Sequence, residues 1–140
     1  MKRDYPERPI VGILAMVRRD DRFLLVRRGR MPNKGMWGFP GGVQELGETV
    51  IEAASRELAE ETGVAVADPA IFTALDAIDR DGDGAVRYHY TLVVVCFSWQ
   101  AGEGTAGDDA DALGWFGLED LAEIPALPAV AGLMKRGLAR

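Results

Sequence analysis

Cysteine and histidine are almost absent from this chain. Its 140 residues include one cysteine, Cys96, and one histidine, His89. A single cysteine excludes an intrachain disulfide. Because Cys96 lies in the apolar run of residues 92–97, we expect it to act as a small hydrophobic side chain and not as a nucleophile.

Long apolar runs and an excess of positive charge are missing as well. No segment approaches the ~20 consecutive apolar residues of a membrane-spanning helix. Residues 1–9 are charged and contain two prolines, unlike a signal peptide. We therefore expect a soluble, cytoplasmic protein with no membrane partner. The net charge of −6 and the pI near 4.8 argue against polymeric nucleic acid as a partner, since such binding requires a basic surface.

The composition that remains is ordinary for a globular protein, with 48% hydrophobic and 27% charged residues. The length predicts a single domain over residues 1–140. Residues 1–40 carry ten basic and four acidic side chains, whereas residues 41–140 carry six basic and eighteen acidic ones. Six glutamates and one arginine lie in residues 45–61 alone, so the acidity indicates a local cation site more than general solubility.

Apolar and turn patterns predict a mixture of strands and helices. We expect a hairpin of residues 10–17 and 23–26, strands at 70–78, 86–99 and 113–116, helices at 49–61 and 128–139, and a helical turn at 118–121. Glycine-rich loops are predicted at 29–42 and 101–111. Because strands and helices do not alternate regularly, an α+β or mixed-sheet α/β fold is favoured over a doubly wound one.

The helix predicted at residues 49–61 has the clearest signals. Thr49 and Glu52 have the spacing of a capping box, and Gly63 favours a left-handed end. On a helical wheel, one narrow apolar stripe is predicted to face the core. It consists of Ile51, Ala54 and Leu58.

Glu57, Glu60 and Glu61 form an acidic arc on this helix, directly beside the apolar stripe. Like charges three or four residues apart destabilise a helix, as do anions in its last turns. A bound cation would offset this cost, and carboxylates without a neighbouring cysteine or histidine favour Mg²⁺, or Mn²⁺, over zinc. Three glutamates taken alone are more often a solvated acidic face.

The surrounding residues favour the cation site. The pattern G-x5-E-x7-R-E-U-x-E-E-x-G-U, in which U is a bulky aliphatic residue, is matched at all nine fixed positions by Gly42, Glu48, Arg56, Glu57, Leu58, Glu60, Glu61, Gly63 and Val64. This pattern is the signature of the Nudix hydrolases, and residues 37–41 before it are also typical of that family. The chain therefore resembles a Nudix hydrolase.

The resemblance implies an α/β/α sandwich with a mixed sheet and Mg²⁺-dependent hydrolysis of a nucleoside diphosphate linked to another group. It implies that Glu57, Glu60 and Glu61 bind the metal together with the backbone carbonyl of Gly41. It further implies that Arg56 orients the glutamates by salt bridging and that Glu48 supports the preceding loop. Metal ions suit this chemistry because they neutralise a pyrophosphate and lower the pKa of a bound water, whose proton a carboxylate then removes.

A further acid is implied in a loop before a late tryptophan. With Trp115 as the anchor, the matching position six residues earlier is Asp109, where the family more often has glutamate. The general base is therefore left open between Asp109, Asp108 and Glu61. The alternative is that residues 107–109 form only a polar turn.

The substrate is predicted less sharply. Residues 27–29, 87–92 and 106–116 are most similar to the branch of the family that resembles bacterial ADP-ribose pyrophosphatases, which implies hydrolysis of ADP-ribose, or a related sugar nucleotide, to AMP and a sugar phosphate. A MutT-like nucleoside triphosphate pyrophosphohydrolase is the enzymatic alternative. A nucleotide sensor without turnover is a third, disfavoured because the set of Glu57, Glu60 and Glu61 is intact. The family is also compatible with a homodimer.

Candidate substrate contacts lie outside the motif. Arg27 and Arg28, with Arg30 and Lys34, are predicted to bind phosphates, or else to be a solvated strand end and loop. Phe39 is a candidate for stacking a base, although aromatic residues beside glycines are more often core or dimer contacts. His89 is a candidate substrate contact, although a single histidine in a strand is more often structural. Residues 79–84 match the start of a calcium loop, but the twelfth position is Tyr90, so a hairpin turn is favoured.

Overall fold

Seven strands and two α-helices follow one another in the computed structural model, which describes residues 2–140. In chain order they are β1 (Ile10–Arg19), β2 (Arg22–Arg28), β3 (Trp37–Gly38), β4 (Gly41–Val43), α1 (Val50–Glu61), β5 (Ala65–Arg80), β6 (Val86–Ala101), β7 (Ala110–Phe116) and α2 (Ala129–Leu138). A short 3-10 helix, Leu118–Glu123, lies between β7 and α2. No helix within residues 2–140 is long and apolar enough to cross a membrane.

The strands form one mixed sheet around β1. The order is β3-β2-β1-β6-β5, with β4 paired to β1 and β7 paired to β2. The pairing of β1 with β6 is parallel, and the other strand pairs are antiparallel. Strand β1 is central because consecutive apolar side chains are buried on both of its faces, among them Ala15, Met16 and Val17.

A helix covers each face of this sheet. Ala53, Ala54 and Leu58 of α1 pack on one face, against Ile13 and Val95. On the other face, α2 contributes Val130, Leu133 and Met134, which pack with the buried side chains Met16, Phe23, Leu25, Phe39 and Val94. The predicted α/β/α sandwich with a mixed sheet is confirmed.

The start and end of α1 follow the predicted signals. The Thr49 hydroxyl accepts from the Glu52 N–H at 3.0 Å, and the Glu52 carboxylate accepts from the Thr49 N–H at 2.9 Å, which completes the capping box. Gly63 follows the helix with φ of 68°, the left-handed conformation expected there. The cap therefore fixes where the helix begins, and with it the direction in which each glutamate projects.

Strand β5 starts at Ala65, five residues before its predicted start at residue 70. The pairing with β6 shifts register between Ala67 and Ala70, where Asp68 has φ of 55° and precedes a proline. An Asp-Pro pair indicates a turn, but here it forms an irregularity inside a long antiparallel pair. Strand β7 likewise begins within the predicted loop, at Ala110.

Candidate active site

Two glycines of β4 let the backbone lie directly against the carboxylates of α1. Gly41 and Gly42 pair with Leu14 and Ile13 of β1. A Cβ on Gly41 would collide with the Ile13 carbonyl, and a Cβ on Gly42 would collide with the Glu57 carboxylate. A side chain at position 41 would displace the strand, and one at position 42 would displace the Glu57 carboxylate, which explains the need for glycine in this part of the motif.

Arg56 connects the helix to the loop before it. Its Nε donates to Glu48 at 2.7 Å and its Nη2 donates to the second oxygen of the same carboxylate at 3.0 Å. Its Nη1 donates to Glu57 at 2.8 Å and lies 3.5 Å from Glu60. The predicted salt bridging of the glutamates by Arg56 is thus present in the geometry, and the bidentate pair with Glu48 fixes the plane of the guanidinium.

Glu48 is held by the backbone as well as by Arg56. One carboxylate oxygen accepts from the Glu45 N–H at 2.9 Å, and the Gln44 side chain donates to the Glu48 carbonyl at 2.7 Å. The hydrogen bond from Arg56 and the one from the Glu45 N–H lower the pKa of Glu48 below its ordinary value. Glu48 therefore carries its charge at neutral pH and orders the loop between β4 and α1.

Glu61 and Glu57 lie where the protein by itself disfavours the ionised form of a carboxyl group. Glu61 is 6% exposed, and burial, followed by repulsion from Glu57, raises its pKa to about 8. The Gly41 N–H donates to Glu61 Oε2 at 3.2 Å and opposes this shift. Burial also raises the pKa of Glu57, although Arg56 counteracts it. Two neighbouring carboxylates with raised pKa values indicate a site suited to a cation.

Asp108 lies next to these glutamates. It belongs to the loop of residues 102–109 between β6 and β7, which we call the acid loop. Carboxylate oxygens of Glu57, Glu60 and Asp108 lie within 4.8 Å of one another. Asp108 has φ of 54°, and the N–H of the preceding residue, Gly107, donates to the Glu61 carbonyl at 2.9 Å. The acid loop is therefore attached to the end of α1.

Asp109, the loop acid that the motif comparison predicted, takes a different partner. Its side chain is 56% exposed and forms an ion pair with Arg30 at 3.0 Å. It still lies near enough to Glu61 to contribute to the raised pKa of that group. The geometry thus brings Asp108, one of the alternatives, to Glu57 and Glu60, while Asp109 faces Arg30.

The predicted substrate contacts have different surroundings in the structure. Arg27 donates to Asp111 at 2.6 Å, and Arg28 donates to the Pro32 carbonyl at 2.9 Å. Phe39 is 7% exposed and packs edge-to-face on Phe23, so its burial favours the core alternative. His89 is half-buried in β6, opposite Ile78 of β5. Both arginines thus have partners within the protein, and Phe39 lies in the core.

The residues present fit a hard divalent cation. All side-chain donors near Glu57 are carboxylate oxygens, the ligand type that Mg²⁺ and Mn²⁺ prefer. A divalent cation would also lower the raised pKa values of Glu57 and Glu61 and remove their mutual repulsion. Glu57 and Glu61 are therefore not part of a solvated acidic face, whereas Glu60 is exposed.

The sequence placed Gly41 and Gly42 in the site, but it did not show how closely they approach β1 and the Glu57 carboxylate, nor that the acid loop is attached to α1. The motif contained Gly42, but nothing in the sequence indicated that its hydrogen lies against the Glu57 carboxylate. The pairing of Arg30 with Asp109 joins segments 79 residues apart, and no local pattern predicts such a contact. The one available signal was the Gly-Asp-Asp turn at residues 107–109, which offers two adjacent acids to the site.

A mixed sheet lies between two helices, and one of these helices carries a carboxylate cluster and packs on a Gly-Gly strand. Together they define an α/β/α sandwich protein with a group of carboxylates suited to a cation. The NUDIX domain model matches residues 6–136, and the chain belongs to this family.

Two curated proteins and one solved structure illustrate its relations. An ADP-ribose pyrophosphatase of Methanocaldococcus jannaschii is 35% identical over 116 residues, which are 83% of this chain and 66% of that protein. A Mycobacterium tuberculosis protein named "Putative 8-oxo-dGTP diphosphatase 2" is 38% identical over 111 residues, covering 78% of this chain and 74% of the relative. The crystal structure of a MutT NUDIX hydrolase from Burkholderia pseudomallei superimposes with a TM-score of 0.80 at 35% identity, over 92% of this chain and 98% of that one. The match thus spans slightly less than two thirds of the archaeal relative.

Proposed function

We propose that this chain hydrolyses a pyrophosphate bond in a small nucleotide with the help of a divalent cation, and that the leading substrate is ADP-ribose or a related sugar nucleotide. One observation carries the proposal. Carboxylate oxygens of Glu57, Glu60 and Asp108 lie within 4.8 Å of one another, beside the buried Glu61. Without a cation this arrangement is repulsive, and a pyrophosphate is the ligand that needs such a cation.

The residues that would hold the cation are Glu57, Glu60 and Asp108, with Glu61 and the Gly41 carbonyl as further ligands carried over from the motif. When bound, Mg²⁺ or Mn²⁺ supplies positive charge to the phosphate oxygens and lowers the pKa of a nearby water. Arg56 holds the Glu57 carboxylate by a hydrogen bond of 2.8 Å, so that the ligand oxygen keeps one orientation.

Glu61 is the proposed proton acceptor. Three observations support this role: Glu61 is the most buried of the site carboxylates, its carboxylate accepts from the Gly41 N–H, and it lies near enough to Glu57 to be repelled by it. Asp108 is proposed as the loop acid because it is grouped with Glu57 and Glu60. Asp109, paired with Arg30, keeps a supporting role.

Arg27 and Arg28 remain proposed phosphate contacts. Arg27 is paired with Asp111, and both side chains are partly exposed, at 43% and 45%. An exposed ion pair contributes little to stability, so a substrate phosphate competes with Asp111 at small cost. His89 and Phe39 are weaker proposals, since one is half-buried in the sheet and the other is in the core.

The relatives support two substrate classes. In ADP-ribose cleavage the products would be AMP and ribose 5-phosphate, a reaction supported by the similarity to the archaeal pyrophosphatase. The mycobacterial relative supports the triphosphate alternative, in which a nucleotide monophosphate and pyrophosphate are released. A homodimer and a cytoplasmic location stay predictions.

A substrate panel with product identification tests the proposal. Purified protein is incubated with ADP-ribose, sugar nucleotides and oxidised or normal nucleoside triphosphates, with Mg²⁺, with Mn²⁺ and with excess EDTA, and products are separated by chromatography. We expect cation-dependent formation of AMP from ADP-ribose, absent in Glu61→Gln. Pyrophosphate release from triphosphates alone would favour the second class. Nucleotide binding without turnover would contradict the enzyme proposal and support a sensor.

A further inference from the structure

Backbone hydrogen bonds connect one side of the acid loop to the end of α1. The Thr105 N–H donates to the Thr62 carbonyl at 2.9 Å, and the Gly107 N–H donates to the Glu61 carbonyl at 2.9 Å. These carbonyls lie at the C-terminal end of α1, where helix carbonyls lack intrahelical partners. The loop thus completes the helix end, but the bonds stop one residue short of Asp108.

On its other side, the loop is bound to the segment after β2 by a backbone hydrogen bond and an ion pair. The Gly29 N–H donates to the Asp109 carbonyl at 2.8 Å, and Arg30 Nε lies 3.0 Å from Asp109 Oδ1. A Cβ on Gly29 would lie 3.0 Å from the same carbonyl, closer than nearly all such contacts, so glycine permits this approach. Both the backbone and the side chain of Asp109 are therefore held from outside the acid loop.

Asp108 lies between the residue bound to α1, Gly107, and the residue bound to the segment after β2, Asp109. Its carboxylate lies close to those of Glu57 and Glu60. Its φ of 54° is left-handed, a conformation that costs free energy in a residue other than glycine and persists where the surrounding structure holds it. The bonds to Gly107 and to Asp109 fix the chain immediately before and after it. The position of Asp108 in the cluster thus depends on both.

We infer that Arg30 is a positioning residue of the cation site: by binding Asp109 it keeps the adjacent Asp108 against Glu57 and Glu60. The inference rests on the proposed function, since it requires that this cluster bind a cation. It also assigns Arg30 a task different from that of a phosphate-binding arginine, which would act only when nucleotide is present.

The direction in which cation affinity changes when Arg30 is removed distinguishes a positioning role from a purely electrostatic one. Arg30 is a positive charge close to the cluster, so if it acts only through its charge, removing it strengthens cation binding. If Arg30 positions Asp108, removing it weakens cation binding, because one ligand is lost from its place. Asp109→Asn removes a negative charge and the ion pair, and weakens binding in both cases.

Mn²⁺ binding without nucleotide provides the readout. Free Mn²⁺ is followed by electron paramagnetic resonance during titration of the wild-type protein, Arg30→Ala, Asp109→Asn and the exchanged pair Arg30→Asp/Asp109→Arg. We expect Arg30→Ala to weaken Mn²⁺ binding about tenfold, as the loss of an outer support for a ligand typically does. The exchanged pair should regain most of the affinity. Arg22→Ala, which removes an arginine paired with Asp120 at 3.5 Å outside the cluster, is the matched control and should bind as the wild type does.

A double-mutant cycle with Asp108 completes the test. If Arg30 acts through Asp108, Arg30→Ala no longer weakens Mn²⁺ binding in an Asp108→Ala background, where only the small gain from removing its positive charge is left. The Arg30 side chain is 76% exposed, so the variants are expected to fold, and circular dichroism with thermal melting checks this. Unchanged or tighter Mn²⁺ binding in Arg30→Ala, or an equal effect with and without Asp108, would overturn this inference alone. Absence of Mn²⁺ binding to the wild-type protein would overturn it together with the proposed function.

Discussion

Glu57 and Glu61 on α1 are largely buried and lie against backbone that only glycine allows, whereas Asp108 on the acid loop is exposed and is held through its neighbours. The helical half of the cluster derives its position from a capped helix packed on a sheet, so its geometry is fixed by the core. The loop half derives its position from a few hydrogen bonds and one exposed ion pair. In the helical half, burial raises the pKa values of Glu57 and Glu61. In the loop half, the path of the backbone decides which partner each aspartate contacts.

The largest expected effect is the loss of Glu61. Glu61→Gln keeps the size and the Gly41 hydrogen bond but removes the charge and the proton acceptor, so we expect kcat to fall by about 10³-fold or more. Steady-state kinetics on the best substrate measures this. Glu52→Gln is the matched control on the same helix, because glutamine also serves in a capping box, and it should retain wild-type kcat. Near-normal turnover by Glu61→Gln would contradict the assignment of the buried half.

Gly42→Ala tests the backbone contact of the same half. Its Cβ would displace the Glu57 carboxylate, so we expect kcat/KM to fall about 10- to 100-fold with a modest loss of stability. Kinetics and thermal unfolding together give the answer. Gly82→Ala, in open space at the β5–β6 turn, is the control and should change neither. Unaltered activity in Gly42→Ala would show that Glu57 has room to move.

Paired substitutions in the acid loop sharpen the comparison between the two halves. We expect Asp108→Asn to lower kcat about tenfold, less than Glu61→Gln, because Asp108 shares its cation with the α1 glutamates. Asp109→Asn should have a smaller effect, since Asp109 acts from outside the cluster, through the position of its neighbour and through its charge near Glu61. A larger loss of kcat in Asp109→Asn than in Asp108→Asn would instead identify Asp109 as the catalytic loop acid.

The smallest expected effect is on stability and its pH dependence without metal. The folded pKa of Glu61 is about 8, above the ordinary 4.5, so between these values the native state holds a proton that the unfolded chain has lost. The free energy of unfolding therefore falls as pH rises from 5 to 8, and the melting temperature should fall by ~5 °C. Thermal melts in EDTA check this. Saturating Mg²⁺ or the Glu61→Gln variant should flatten the curve, and an equally steep curve in that variant would assign the effect to other groups.

Much of the fold could be predicted from local signals. The Thr49–Glu52 cap, the stripe containing Leu58 and the terminal Gly63 are short-range patterns, and each took the expected form. The early start of β5 was missed because Asp68 and Pro69 indicate a turn, while pairing with β6 absorbs them as an irregularity. Local patterns do not report the partner strand, and partner strands decide such boundaries.

The candidate site shows the same division. The sequence by itself determined the family, the capped helix and which glutamates share a face, because these depend on spacing along one chain. Only the tertiary structure decided that Glu61 is buried beside Gly41, that Phe39 belongs to the core, and that Asp108 faces the glutamates while Asp109 faces Arg30. These outcomes depend on packing and on loop direction between segments far apart in the chain, and adjacent aspartates have identical chemistry until the fold points them apart.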